Sequence, residues 1–299
     1  VRYRLEYILI VLIGAVVRLM PLTMVRACGG AFGRLVSHID RSHRRIAMDN
    51  LARAFPSRSP RECRAICGAT FAHFGSLLFE LIKFSTLDRD EMLARVEVQG
   101  EEHLRQAYER GHGLVFVTGH FGYWEIQAIA YALHTRPISL LARPVNNPYL
   151  HAMLERIRCR TGNTVIYRQG GLRKVLRKLG QNEGVAIPID QHLHSDTVYV
   201  DFFGRPAATT SAVAAIALRT GAMLVPVFAM PLPGGRYRLI YDRPVQLPPG
   251  DAPDPIAELT QRCTDVLEMY VRRDPHLWLW MHRRWRDPVA AASPVDADA

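Results

Sequence analysis

The chain is expected to fold as a three-layer α/β/α domain around a mostly parallel sheet, and three observations predict it. Short apolar runs rich in β-branched residues recur at positions 114–117, 137–142, 164–167, 185–189 and 223–228, a length that suits buried strands. Segments of helical length separate them, and strands joined through helices pair in parallel by crossover connections. Finally, 48% hydrophobic residues over a 299-residue chain supply apolar surface for a substantial core.

Taken in order, residues 1–26 raise the question of a membrane. Positions 7–17 form an uncharged run of eleven, about 16 Å as a helix, which is short of a hydrocarbon core of roughly 30 Å. Extension to Val25 takes in Arg18 and Pro21, so residues 1–26 are expected to be a short anchor or a helix lying in the interface, flanked by Arg2, Arg4, Arg18 and Arg26. No small-residue cleavage site marks a secretory signal. Residues 34–55 read as one basic helix carrying Arg41, His43, Arg44 and Arg45, and residues 56–60 break it. Ser59, Pro60 and Glu62 mark the next start. Residues 66–84 are apolar nearly all round, as in a core helix or one side of an apolar groove.

A strand at 96–98 and a helix at 101–109 precede the central strand at 114–117. A helix from Glu125 to about Leu133 follows, then a strand at 137–142 and a turn-rich stretch at 143–148 that opens another helix. Beyond it come a strand at 164–167, a basic helix at 172–179, strands at 185–189 and 198–203, and a helix at 209–220 closed by Gly221. Strands at 223–228 and 237–241 and a helix at 256–271 complete the pattern. Neither repeats nor linkers divide residues 27–290, expected to be one domain; residues 291–299 are expected to be a disordered tail.

Lys and Arg (38) outnumber Asp and Glu (28) by ten, so anionic partners are favoured, among them phospholipid headgroups, phosphorylated substrates and acidic carrier proteins. Nucleic acid is not expected, since no basic helix with base-reading spacing or known module accompanies the charge. Five scattered cysteines without a CxxC pair suit reduced thiols and give no metal signature. His192 and His194 resemble a metal pair only superficially, and neither a metal nor a cofactor is expected.

Leu114–Glu125 (LVFVTGHFGYWE) carries the chemistry. Thr118-Gly119 ends the strand, and ligands bind at the C-terminal ends of strands in open α/β sheets. Five positions on one continuous helix amount to about 500° of rotation, which points His120 and Glu125 roughly 140° apart. They converge if His120 stays on the turn and Glu125 opens the next helix, where a carboxylate also suits the helix dipole. A carboxylate against an imidazole fixes its tautomer and raises its basicity, which suits a general base acting on a weak oxygen nucleophile. No nucleophile elbow such as G-x-S-x-G is present, which favours direct transfer over an acyl-enzyme.

Several motifs stand in order over residues 40–286. They are Asn50-Leu51 with Phe55-Pro56; His120-Phe121-Gly122-Tyr123-Trp124-Glu125; Arg143-Pro144-Val145-Asn146-Asn147-Pro148; Arg158 and Arg160 before Gly162; Asp190-Gln191; residues 202–210 (FFGRPAATT); Gly221-Ala222; and Trp280-Met281-His282-Arg283-Arg284-Trp285. This co-linear set resembles the lysophospholipid acyltransferase-like family, which contains the bacterial late acyltransferases of lipid A biosynthesis and the phosphatidylinositol mannoside acyltransferases. The resemblance implies a glycerolipid-acyltransferase-type fold at the cytoplasmic face of the inner membrane. It implies transfer of a fatty acyl group from acyl-acyl carrier protein (acyl-ACP) or acyl-CoA to a hydroxyl of a glycolipid, a lipid A precursor first and a mannosylated inositol lipid as the alternative. A non-catalytic lipid-binding protein on the same fold is the rival class.

In that reading His120 is the base and Glu125 its partner, and an anionic lipid surface is a further partner. Arg158, preferred over Arg160, binds phosphate on the acceptor or steadies the thioester, and Arg143 and Asn146 join the substrate-binding set. Asp190 follows a strand and should reach the same sheet edge as His120, to set the acceptor sugar or simply to close a turn. Arg205 with Thr209-Thr210 lies where a helix N-terminus can hold an anion. Trp278, Trp280 and Trp285 with Arg283 and Arg284 either sit at headgroup level or cover the core.

Overall fold

Every residue of the central strand Leu114–Thr118 (β2) is buried, as an apolar strand covered on both faces requires. The computed structural model describes residues 1–167, 170–192 and 196–285; His194 and the expected tail lie outside these. β2 pairs in parallel with Gly184–Pro188 (β5) on one side and with Met223–Leu232 (β8) on the other. Ser139–Ala142 (β3) and Thr164–Tyr167 (β4) extend the parallel set beyond β5. On the other flank Arg236–Tyr241 (β9) folds back antiparallel on β8 and pairs in parallel with Val96–Gln99 (β1). The seven-stranded order is thus β1-β9-β8-β2-β5-β3-β4.

Alternate residues of the strands feed two cores, one on each face. Val115, Val117, Val185 and Ile187 meet the helices Gly171–Gly180 (α9), Ala212–Thr220 (α10) and Pro255–Arg273 (α11). Leu114, Phe116, Ala186 and Val225 meet Arg89–Leu93 (α5), Glu101–Glu109 (α6) and Trp124–His134 (α7). Pro148–Cys159 (α8) links β3 to β4 and adds Leu154 and Ile157 to the second core.

Before the sheet come Arg2–Leu19 (α1), Leu22–Ile39 (α2), Arg41–Ala54 (α3) and Pro60–Phe84 (α4). Ser59 and Glu62 form the reciprocal cap that starts α4. Among the described residues α4 alone is long and apolar enough to cross a membrane, yet 56% of its most apolar window is buried in the fold; it is a core helix. Glycines let α2 lie almost backbone to backbone on α4: a Cβ on Gly33 would stand 1.9 Å from the Phe71 carbonyl, and one on Gly75 2.2 Å from that of Gly29.

Three elements depart from the sequence expectation. The basic helix over 34–55 breaks at Asp40, whose carboxylate caps α3 by accepting from the His43 amide. The expected anchor over 1–26 is two helices, broken at Met20-Pro21, and residue 26 lies inside α2. The helix expected from Thr209 starts only at Ala212, because Pro206–Thr210 (β7) pairs antiparallel with Thr197–Asp201 (β6) in a separate hairpin. Thr209 and Thr210 therefore lie on β7, just before the N-cap Ser211 of α10, and not in its first turn.

Gly75→Ala should destabilise the fold by about 1–3 kcal/mol through overpacking. Gly68→Ala, with nothing within 4 Å of the new methyl, should be neutral or stabilise by about 0.5–1 kcal/mol. Paired thermal melts read both.

Candidate active site

Parallel neighbours in register deliver equivalent residues to the same place. Thr118 of β2 pairs with Pro188 of β5, so the residues two steps beyond each strand end, His120 and Asp190, emerge side by side at the C-terminal edge. Asp190 Oδ1 lies 2.8 Å from His120 Nδ1, and Oδ2 accepts from the His120 backbone amide at 2.7 Å and from the Trp278 indole at 2.9 Å. The acceptor fixes the tautomer: Nδ1 donates to Asp190 and Nε2 keeps its lone pair. Gln191 Nε2 is 3.4 Å from that lone pair.

Burial pushes the His120 pKa down, but the Asp190 carboxylate overrides it and the net shift is upward. Burial pushes Asp190 up, and it is outweighed by the imidazole and the N–H donors, which bring it down to about 2.

The turn between β2 and α7 is held from three sides. Gly122 adopts φ +61°, and a Cβ there would stand 2.2 Å from the Ala229 carbonyl, so only glycine fits. The Gly122 amide donates to Leu277 O at 2.9 Å, the Tyr123 amide to Ala229 O at 2.8 Å, and His73 on α4 to Gly122 O at 3.0 Å. Burial lowers the His73 pKa to about 4, so this ring is a neutral donor. Tyr123 also donates to the fully buried Glu80, which takes Tyr237 and both forks of Arg26 as well.

Glu125 sits in the first turn of α7 but does not hold the His120 ring. Its carboxylate makes a two-pronged pair with Arg158 near the end of α8, at 2.9 and 2.5 Å. The expected pairing is corrected for a simple reason: Asp190 already occupies Nδ1, and the nearest cation to Glu125 is a guanidinium whose planar fork matches a carboxylate. That pairing raises the Arg158 pKa against the opposing effect of burial.

A cavity of about 910 Å³ opens on this edge. His120, Glu125 and Arg158 stand in its wall with Arg143 and Asn146 of the loop after β3. Leu172, Val175 and Leu176 of α9 and Ala215 and Ile216 of α10 add apolar side chains to the wall, with Arg219 of α10 among them. Arg160 is not part of the wall; it donates to the carbonyls of Ser85 and Leu87. Arg205 lies over the Trp285 ring at 5.5 Å, also outside the wall. No cluster of three metal-binding side chains occurs among the described residues.

The family model for bacterial lipid A biosynthesis acyltransferases matches residues 1–287. The chain belongs to that family. The lipid A biosynthesis lauroyltransferase of Escherichia coli strain K12 is 28% identical, over 95% of this chain and 92% of that protein. A lipid A biosynthesis acyltransferase of Haemophilus influenzae is 25% identical over 84% and 78%, and the E. coli palmitoleoyltransferase is 25% identical over 92% and 89%. The chain is therefore an acyltransferase, and its family acts in lipid A biosynthesis.

With the family in hand, the remaining motifs of this acyltransferase have structural explanations. Asn50 on α3 donates to the carbonyls of Trp280 and His282, at 2.8 Å each, and Phe55 packs on Phe203 and Trp280. The C-terminal segment they hold brings Trp278 to Asp190. Trp278 and Trp280 are almost wholly buried, so they cover the core and do not reach headgroup level. Arg284 is buried too, donates to Ala208 O and Thr209 Oγ1 of β7, and burial lowers its pKa to about 10. Asp190's role on the ring and Trp278's role behind it escaped sequence reading, although the strand-end position of Asp190 was a usable signal.

Asp190→Asn should lower the imidazole pKa of His120, because burial then meets only the weaker opposition of the Glu125 charge, and NMR titration of the ring reads the shift. The His120 contribution to stability is complete below the ordinary imidazole value of 6.5 and is lost as pH rises through the raised folded value. That of Asp190 is complete above 3.8 and lost as pH falls through about 2. The stability gap between wild type and Asp190→Asn should therefore be widest between about pH 4 and 6.5.

Proposed function

We propose that the chain transfers a fatty acyl group from the thioester of acyl-ACP to a hydroxyl of a lipid A precursor at the cytoplasmic surface of the inner membrane, on a fold of the glycerolipid acyltransferase type. The observation that carries the reading is a tautomer-fixed imidazole in the wall of a cavity lined by both cationic and apolar side chains. In this reading His120 Nε2 takes the proton of the acceptor hydroxyl as its oxygen attacks the thioester carbonyl. The tetrahedral oxyanion collapses with loss of the thiolate, which receives the proton back from His120. One C–O bond forms, one C–S bond breaks, and no acyl-enzyme is needed.

Asp190 keeps the ring oriented and stabilises its cationic form during the transfer. Glu125 and Arg158, locked to each other, present a carboxylate oxygen and a guanidinium edge to the acceptor's sugar and phosphate, with Arg143 and Asn146 beside them. The slot between α9 and α10 takes the hydrocarbon chain. Exposed apolar side chains on α1 and α2, among them Leu5, Leu9, Leu12, Phe32 and Leu35, support membrane association, with neighbouring arginines suited to anionic lipid.

His120→Ala should lower transfer from acyl-ACP to the lipid A precursor by about 10²–10⁴-fold with the fold intact, measured as radiolabelled acyl incorporation. Incorporation at the wild-type rate would sink the enzymatic reading and favour a lipid-binding protein. Arg158→Ala and Glu125→Ala should each cost at least about tenfold, because either leaves its partner charged and unpaired in a part-buried site.

A further inference from the structure

Helix α1 has two unlike faces. Leu5, Leu9, Leu12, Val16 and Leu19 recur at steps of four and three, so they share one side, and they are 61, 57, 61, 60 and 89% exposed. This stripe touches nothing that hides it among the described residues. The opposite side carries Tyr3, Glu6 and Tyr7 toward α8 and Gly14 and Val17 toward α4, where Gly14 faces Ile82.

The buried part of the contact with α8 is made by Asn147. Asn147, only 4% exposed, uses both ends of its amide. Its Oδ1 caps α8 by accepting from the amides of Tyr149 and Leu150 at 3.0 and 3.4 Å. Its Nδ2 donates to the Tyr3 carbonyl at 3.0 Å and to Glu6 Oε2 at 2.9 Å. Arg4 donates to the Tyr149 hydroxyl at 3.0 Å, and the Tyr7 and Tyr149 rings lie 5.7 Å apart. On one side of Asn147 the chain is the cavity wall, residues 143–146. On the other, α8 leads to Arg158 and its partner Glu125. One buried amide thus joins an apolar-faced helix to the cavity wall.

We propose that α1 supports the acceptor side of the site and is not only an attachment, and that Asn147 is the positioning residue that couples it to the loop 143–147 and to α8. With its outer stripe in the lipid surface, α1 fixes the height of the cavity mouth above the bilayer. A glycolipid whose tails remain among the lipids beside α1 then meets Arg143, Asn146 and Arg158 with its sugar. The apolar side chains of α9 and α10 that line the cavity belong to elements the Asn147 hydrogen bonds do not touch, so the joint is assigned to the acceptor and not to the acyl donor. The inference rests on the acyltransferase reading and deepens it.

The test uses the full chain in mixed micelles with acyl-ACP and a lipid A precursor. Asn147→Asp keeps the cap on α8 but turns an oxygen toward the Tyr3 carbonyl and the Glu6 carboxylate, so it removes the Asn147 hydrogen bonds from the joint and leaves the Arg4 and Tyr7 contacts with Tyr149. It should float with phosphatidylethanolamine/phosphatidylglycerol vesicles as the wild type does and melt at a lower temperature, because a buried carboxylate gains a like charge beside it. Its KM for the acceptor should rise at least tenfold and its KM for acyl-ACP stay within twofold. Adding Glu6→Gln supplies an N–H to the new carboxylate and should recover at least part of the loss. Should Asn147→Asp fold poorly, Glu6→Ala/Tyr149→Phe weakens the same joint from both sides and should raise the acceptor KM at least threefold. An unchanged acceptor KM in a folded variant, or an equal rise for both substrates, overturns the proposal. A wild type that moves no acyl chain overturns the acyltransferase reading itself.

Discussion

The candidate site depends on one buried carboxylate. Asp190 gathers three N–H donors, from the His120 ring, the His120 backbone and the Trp278 indole, and these come from the turn after β2 and from the C-terminal segment. A lone carboxylate would lose far more on burial than it regains. With three donors it is held ionised, down at about 2, and the elements that supply them are fixed relative to each other. Loss of the Trp278 segment would loosen the imidazole as surely as a change at β5. The distant anchors of that segment, Asn50 on α3 and the bonds of Arg284 to β7, therefore belong to the site's support even though neither residue stands in the cavity wall.

A second carboxylate plays the same part on the other side of the turn. Glu80 is fully buried and answers Arg26, Tyr123 and Tyr237 together, which ties α2, α4, the catalytic turn and β9 at one point. The two tyrosines have their pKa values raised by burial and by the adjacent Glu80 charge, so both are neutral donors. Between Asp190 and Glu80 the stretch from His120 to Tyr123 has little freedom, and Gly122 makes its left-handed step possible. Preorganisation of this kind holds the imidazole fixed, as the proposed role of a base requires.

The cavity wall mixes charged and apolar side chains. Arg143 and Asn146 come from the loop after β3, Glu125 and Arg158 from α7 and α8, Arg219 from α10, and apolar side chains from β3, α9 and α10. A substrate pair with a charged sugar and a hydrocarbon chain is compatible with such a wall, in line with a family that acts in lipid A biosynthesis. Arg158 and Glu125 neutralise each other, which holds two part-buried charges in place in the cavity wall.

By itself the sequence determined the strands, most helices, the parallel sheet and the turn that carries His120. Each is encoded locally: apolar β-branched runs for strands, the Ser59/Glu62 and Asn147/Pro148 caps for helix starts, Thr118-Gly119 for a strand end. It also brought Glu125 to the first turn of α7 and Asp190 to a strand end on the same edge. Tertiary structure alone decided the partners. Whether Glu125 or Asp190 holds the imidazole depends on which strands are neighbours and in what register, and β5 sits beside β2 although β3 and β4 intervene in sequence. The same holds for Arg160, committed to carbonyls of the loop after α4, for Pro206–Thr210, drawn into a hairpin by pairing with β6, and for Trp278, drawn into the core. Local propensity is a property of neighbours along the chain, whereas hydrogen-bond partners are chosen among groups that folding brings together from far apart.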